Sequence, residues 1–477
     1  MEDKVDTMTY EPKHWTGLLT ELTEEYKQHS PQSHALNEEA EHWLVDGGSH
    51  ALRLIEPFPP RIAAAQGAWI EDEDDHQILD FWQGHFANVL GHNPEPVCSA
   101  LADALDEGFG LQTGLVDRLQ VECARIFCQQ TGAERVRFTT SGSLATMYAI
   151  LLARAHTGRQ KVMKAGGGWH GAQPWGLKGV KFHTEHGGPR GFRQVESKGL
   201  PGYLTKEVSV TRFNDLDSLH ESFRRHGDGL ACLIVEPFIG AGGFLPALPE
   251  YLEAARRLTH QYGALLIFDE VIGGFRFCAG GAGQLYDVKP DLTTFGKAMG
   301  GGMPVSAVAG RADVMALVGR DMDHQVKFSG GTYSAHPACL LAAKTTMTYL
   351  IEHEDDVYPR LAELGTKTRK TVEASFAEEG IYARCTGYGN EAIPGSSMVM
   401  VNFPFDESHR LATPDDVSDP AACDITLRER VLKLGFLLED VHVMHGLGAL
   451  SASHTEDDIA LLGEACRRVA RRVRRHL

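Results

Sequence analysis

Residues 264–271 read ALLIFDEV, and residues 291–304 read DLTTFGKAMGGGMP. In the first stretch an apolar run, Ala264 to Phe268, leads straight into Asp269. In the second a shorter run leads to Lys297, and glycines follow at 300, 301 and 302. Short continuous apolar runs bounded by turn residues read as strands buried on both faces. Sheets of such strands bind ligands outside the carboxyl ends of the strands. Both ionisable residues are expected at that edge. Each also has an ordinary reading: Asp269 as a helix cap or salt-bridge partner, Lys297 as an exposed loop lysine. Glycines let the backbone approach a ligand closely. A lysine kept from water there has a lowered pKa and can act as a Schiff-base nucleophile.

The same texture extends in both directions. VRFTT (136–140), KVMKA (161–165), ACLIVE (231–236) and VSAVAG (305–310) are further apolar runs. Helical segments such as 96–105, 118–127 and 249–263 separate several of them, and a helix over 144–155 places Leu144, Met147, Tyr148 and Leu151 at helical spacing. Alternating strands and helices predict an α/β fold with a mostly parallel central sheet covered by helices. Residues 11–45 read as polar amphipathic helix broken near Pro31, and 67–81 as a hairpin around an acidic turn. After about residue 345 charged helices lead to an isolated strand, SMVMVNF (397–403), and a final helix opens at Thr455 with Asp458 three residues on. The expected organisation is an N-terminal segment, 1–75, contributing to a small domain; a large domain, 76–345; and a C-terminal small α+β domain, 346–477.

Composition bounds the function. With 43% hydrophobic and 23% charged residues the chain reads as an ordinary soluble globular protein. A net charge of −18 argues against general binding to nucleic acid or anionic membranes. The basic tail, Arg467 to Arg475, reads as the C-terminal end of a helix, where cations complement the dipole. Nine cysteines, an odd number without a Cys-x-x-Cys pair, suggest free buried thiols in a reducing compartment. No signal-like apolar core and no membrane-length apolar run is found, so a cytoplasmic location is expected.

Two more motifs belong with the first pair. Ser141, Gly142 and Ser143 stand between a strand and a helix, where free N–H groups and two hydroxyls make an anion site, or simply a serine N-cap. GGGWHG (166–171) follows the strand KVMKA. Trp169 there can stack on a flat ring or fill a core, and His170 can make a polar contact. The histidines form no H-E-x-x-H or Cys/His cluster, so no metal is expected. The stretches GAGG (240–243) and GGAG (280–283) lack a proper dinucleotide fingerprint. A lysine and a carboxylate at neighbouring strand ends are what pyridoxal 5′-phosphate (PLP) needs. The lysine carries the cofactor as a Schiff base. The acid keeps the pyridine nitrogen protonated, so that the ring can accept electrons.

With these residues in view, the chain resembles the class III aminotransferases of PLP fold type I, closest to the glutamate-1-semialdehyde 2,1-aminomutase-like branch. The likeness runs from about residue 45 to 465. It rests on LRLIEPFP (52–59), DFWQGHFANVLGH (80–92), RVRFTTSGSLATM (135–147), GGGWHG, IVEP (234–237), LLIFDEVIGGFR (265–276), FGKAMGGGMP (295–304), GGTYSAHP (330–337) and ASHTEDDI (452–459). The resemblance implies that Lys297 binds the cofactor and shuttles the proton, that Asp269 meets the pyridine nitrogen and that Trp169 stacks on the ring. It also implies that Ser141, Gly142 and Ser143 hold the phosphate. Thr332 would reach the phosphate of the neighbouring subunit, which implies a homodimer with shared active sites. Arg53 would bind a substrate carboxylate.

Some positions depart from the family pattern. Leu144 replaces the acid of the usual S-G-T-E-A, Ile239 and Ala241 stand where Gln or Asn faces the phenolic oxygen, and the stretch after His170 lacks the mutase's serine-bearing gating loop. These departures weigh against the mutase reaction. The expected activity is transfer of an amino group between a small-molecule amino donor and a carbonyl acceptor, at least one bearing a carboxylate. An intramolecular 2,1-aminomutase or an amino-acid epimerase on the same scaffold is the alternative. An intact Lys297 and Asp269 disfavour a non-catalytic relative.

Overall fold

The computed structural model describes residues 9–184, 191–319 and 326–477. Its centre is a seven-stranded sheet: β1 (Arg135–Thr139), β2 (Lys161–Ala165), β3 (Val208–Thr211), β4 (Leu230–Val235), β5 (Leu265–Glu270), β6 (Leu292–Phe295) and β7 (Ser306–Gly310). The spatial order is β1-β7-β6-β5-β4-β2-β3. Only β7 runs against its neighbours, pairing antiparallel with both β6 and β1; the other neighbouring pairs are parallel. Every residue of β4, β5 and β6 is buried, as the apolar runs require for a sheet with both faces covered. Burying one large aliphatic side chain contributes about 1.5–3 kcal/mol, so each central strand is strongly fixed in register.

The helix after β1 spans Gly142–Thr157. The sequence periodicity selects Leu144, Met147, Tyr148 and Leu151 as its inner stripe. Of these only Tyr148 is buried, while Leu144, Met147 and Leu151 are partly buried. The face against the sheet consists instead of Ala145, Ala149, Ile150, Leu152 and Ala153. Small residues let the helix axis approach the strands closely, and that displaces the larger side chains to the rim.

A second core joins the chain's two ends. Trp15, Leu18, Leu22, Tyr26, Phe58, Leu79 and Phe81 pack with Leu364, Val372, Val399, Leu432 and Leu462. The N-terminal helices Thr16–His29 and Pro31–Trp43 break at Ser30–Pro31, where proline occupies the first helical position. The hairpin strands Trp69–Asp72 and Gln77–Asp80 pair antiparallel, and Gln77–Asp80 also pairs with the C-terminal strand Val441–His442. The stretch 397–403 is not isolated: its strand Met398–Asn402 lies between Arg384–Thr386 and Gly448–Ala449. Strands of two or three residues carry no periodic signal, which is why they are invisible in the sequence. The helix Glu354–Glu378 spans two cores, with Val357, Tyr358 and Leu361 packed with Phe138, Phe295 and Ala307 of the seven-stranded sheet and Leu364, Val372 and Phe376 in the second core. The last helix, Glu456–Arg474, opens on a Thr455–Asp458 capping box. Its arginines reach back to acids elsewhere, as Arg472 does to Glu25 and Arg471 to Glu379. All nine cysteines are free. Among the described residues no helix is long and apolar enough to cross a membrane.

Candidate active site

At the carboxyl edge of the sheet, Ser141, Gly142, Ser143, Trp169, His170, Asp269 and Lys297 line one cavity of about 230 Å³, together with Val271 and Ser306. Three loops from different strand ends therefore converge on one point.

Asp269 and Thr294 are direct neighbours in the β5–β6 register. Asp269 is 3% exposed, and both oxygens of its carboxylate are held. Oδ1 accepts from the Thr294 hydroxyl at 3.0 Å and from the Val271 N–H at 3.1 Å, and Oδ2 lies 2.8 Å from Nδ1 of His170. Bonds of this kind fix the direction of the carboxylate. Burial lowers the pKa of His170 despite Asp269 beside it, so the ring is a neutral donor to the carboxylate. Its Nε2 is buried without a protein partner.

Lys297 begins the turn after β6 with φ 47°, a left-handed backbone. Such a conformation costs a non-glycine residue on the order of 1–3 kcal/mol and persists only where packing dictates it. The neighbouring Ala298, Met299 and Gly300 are fully or nearly fully buried and supply that packing. Part of the lysine side chain lines the cavity, while protein encloses the ammonium on a larger scale. That enclosure lowers its pKa, against the opposing pull of Asp269 and then Glu236.

The third loop caps the helix Gly142–Thr157. The Ser141 hydroxyl accepts from Leu144 N–H at 3.3 Å, and the Ser143 hydroxyl accepts from Ala172 N–H at 3.1 Å. The N–H groups of a helix's first turn have no acceptor within the helix and suit an anion. GGGWHG is keyed into this loop. Gly171 has φ +82°, and a Cβ there would lie 2.5 Å from Cα and Oγ of Ser143. Only glycine satisfies both the backbone and the contact. The Thr146 hydroxyl donates to the His170 carbonyl at 2.6 Å, which ties the two loops together. Trp169, half-buried, lines the cavity, and its N–H donates to Glu236 at 3.0 Å.

Two residues expected at the site lie apart from this cavity. Arg53 is exposed on a short turn, Ala51–Arg53. Arg53 and Lys297 both act on His85, whose pKa falls to about 3 through burial first and then through His50, Lys297, Arg53 and His445. Thr332 is exposed on the loop before the helix Pro337–Glu352 and does not reach the cavity of its own chain.

Other contributors escaped the reading of motifs. Glu236, at the end of β4, is 3% exposed and accepts N–H groups of Trp169 and Gly240. Burial first, and then Asp269, pushes its pKa up to about 8. The logic that singles out Asp269, a carboxylate closing an apolar strand, applies equally to it. Lys164 is completely buried in β2, and its ammonium donates to the carbonyls of Gly168, Gly176 and Lys178; burial lowers its pKa to about 7. It pins the glycine loop from beneath. His85 lies in a turn where Gln83, Gly84, His85 and Phe86 all have positive φ. The buried Arg276 guanidinium holds the Phe86 carbonyl, and Nε2 of His85 is buried without a partner.

The donor set fits PLP. The serine loop and helix N-terminus suit the phosphate, Asp269 suits the pyridinium, Trp169 offers an aromatic ring, and Lys297 offers a primary amine, all lining the same cavity. Comparison with known proteins points the same way. The profile of the family described as Aminotransferase class-III matches residues 55–387. A glutamate-1-semialdehyde 2,1-aminomutase of Halobacterium salinarum is 37% identical over 341 residues, covering 70% of this chain and 73% of that protein. An ω-transaminase structure from Sphaerobacter thermophilus superposes with a TM-score of 0.83 at 29% identity, covering 94% and 99% of the two chains. A transaminase structure with PLP bound gives 0.80 at 27% identity, covering 94% and 98%. The chain belongs to the class III aminotransferase family, has the PLP fold type I architecture and uses pyridoxal 5′-phosphate as its cofactor.

Proposed function

We propose that this chain moves an amino group between two small molecules, at least one of them carrying a carboxylate, and that Lys297 and Asp269 are its catalytic residues. The single observation that carries the reading is their convergence on one buried cavity with a ready anion cradle. Bound PLP supplies an electron sink and an amino-group carrier. The chain's own residues do the rest. Ser141, Gly142 and Ser143 hold the phosphate, and Trp169 packs on the ring. Asp269, its direction fixed by Thr294, Val271 N–H and His170, holds a negative charge where a proton on the pyridine nitrogen needs it. Lys297, its pKa lowered by enclosure, is available as a free amine to take a proton from the substrate carbon and return it elsewhere. Glu236, protonated at neutral pH, does not add a second negative charge beside Asp269. Arg53, electrostatically coupled to His85, receives the substrate carboxylate. Thr332 completes the phosphate site of a partner subunit, so the working unit is a homodimer.

Support for exchange between two molecules comes from the ω-transaminase likeness over nearly the whole of both chains; Leu144, Ile239 and Ala241 depart from the family pattern and weaken the mutase reading. A second reading, intramolecular 2,1-amino transfer, is favoured by the named aminomutase relative. One experiment separates them. The PLP form is mixed with single amino donors while cofactor absorbance and oxo-acid release are followed. Transamination requires one oxo product released per site and a stable aminated cofactor form until an acceptor is added. Repeated turnover of one substrate with no acceptor and no oxo product would replace it with the mutase reading.

A further inference from the structure

Far from the cavity, three elements around the second core bring together His29, His76 and Asp440. His29 ends the helix Thr16–His29, His76 closes the acidic turn before Gln77–Asp80, and Asp440 precedes Val441–His442. Their potential ligand atoms all lie within 4.8 Å of one another. Four-coordinate ligands at ordinary metal–nitrogen and metal–oxygen lengths of about 2.0–2.2 Å stand about 3.4 Å apart, so closing the set on an ion requires the ligand atoms to draw in by about an ångström and one imidazole to rotate out of the His29–His76 stack.

Each member is prepared in its own way. Nδ1 of His76 is held by the buried Asp72 carboxylate at 3.0 Å, which leaves Nε2 as the free lone pair. A carboxylate behind an imidazole is the outer-shell arrangement that orients metal-binding histidines and raises their basicity. Nδ1 of His29 meets the Ser30 hydroxyl at 3.0 Å, and its Nε2 faces Asp440 Oδ1 across 3.8 Å, too far for a hydrogen bond. The two rings are stacked, centroids 4.0 Å apart. Asp440 Oδ1 has no hydrogen-bond partner although the side chain as a whole is about half exposed, so this oxygen is free to accept from a cation. Asp440 also holds a left-handed backbone, φ 53°, in this position.

We propose that His29, His76 and Asp440 bind one divalent transition-metal ion of the zinc class, with water in the remaining position, and that this ion ties the N-terminal helix to the C-terminal strand. Two imidazoles and one carboxylate select zinc-class ions over magnesium. The role is structural. Nothing in it depends on PLP chemistry, and its failure would leave the proposed function untouched.

The test uses the PLP-loaded enzyme, stripped with EDTA and dialysed against micromolar Zn²⁺ with excess Mg²⁺. Bound zinc is counted per chain by atomic emission in the wild type, His76→Ala and Asp440→Asn. The expected result is one zinc per wild-type chain, loss of that zinc in His76→Ala, and affinity weakened by about tenfold or more in Asp440→Asn. Cofactor absorbance stays the same in all three. Zinc should also slow proteolysis of the N-terminal helices in the wild type alone. Should either variant lose cofactor absorbance, His29→Gln replaces it in the comparison. No saturable zinc in the wild type, or equal zinc in wild type and folded variants, overturns the proposal.

Discussion

Asp269→Asn tests the centre of the proposed mechanism with the least disturbance. The amide oxygen can keep the Thr294 and Val271 donors, now at 3.0 and 3.1 Å. The amide NH₂ then faces Nδ1 of His170, and the ring can carry its proton on Nε2 instead. Packing and hydrogen bonds survive, and so does the phosphate loop, so cofactor should still bind through Lys297. What disappears is a full negative charge at a residue 3% exposed to solvent. Removing one member of a buried charge pair costs about 3–5 kcal/mol, and each 1.36 kcal/mol is about tenfold in rate. The amino-transfer half-reaction should fall by about 10²- to 10⁴-fold with little change in cofactor content. Stopped-flow absorbance after mixing with an amino donor gives the rate, and alkaline release of cofactor gives the content. A fully loaded Asp269→Asn enzyme reacting within about threefold of wild type would refute the assigned role.

Lys297→Ala should lose both the visible absorbance of covalently held cofactor and measurable turnover; retained turnover would sink the mechanism. Gly171→Ala forces a Cβ to 2.5 Å from Ser143 at φ +82° and should release cofactor on gel filtration, whereas unchanged retention would show that the two loops are not keyed. Folded Glu236 keeps its proton up to about pH 8 against an ordinary value of 4.5, so between these values the folded state binds more protons than the unfolded one. Its stabilising contribution is complete below about pH 4.5 and is lost as pH rises towards 8. Urea midpoints of the cofactor-free protein should fall over that window, and less so in Glu236→Gln; identical slopes would contradict the shift. His85→Phe should raise KM for carboxylate substrates more than it lowers kcat, because His85 is electrostatically coupled to both Arg53 and Lys297. An equal effect on an uncharged amine donor would argue against it.

The strands that build the site were legible because each is a continuous apolar run, and the residues closing those runs were legible because charge is out of place there. Asp269 and Lys297 stood out for that reason. Glu236 meets the same criterion, closing an apolar run ahead of the glycines 240, 242 and 243. Thr294 could not be read at all, because its contact with Asp269 exists only through the register of β5 and β6. His85 and Lys164 are set by loop geometry and by burial beneath a loop, neither of which has a periodic trace. The helix Gly142–Thr157 shows the opposite failure, since periodicity favoured its large side chains while close packing favoured its alanines.

The antiparallel strand β7 decides when the protein can first hold its cofactor. During synthesis β1 and its serine loop emerge early, yet β1 has no partner in the sheet other than β7. Until residues 306–310 are made and slide between β6 and β1, β1 has no strand beside it and the wall of the cavity that Ser306 supplies is missing. Such non-local pairing carries the entropy of closing a long chain and comes late. A shortened or stalled chain ending before β7 thus cannot assemble a complete cofactor pocket. Covalent colour from the cofactor marks chains whose central sheet has closed, which makes it a built-in reporter of the order of assembly.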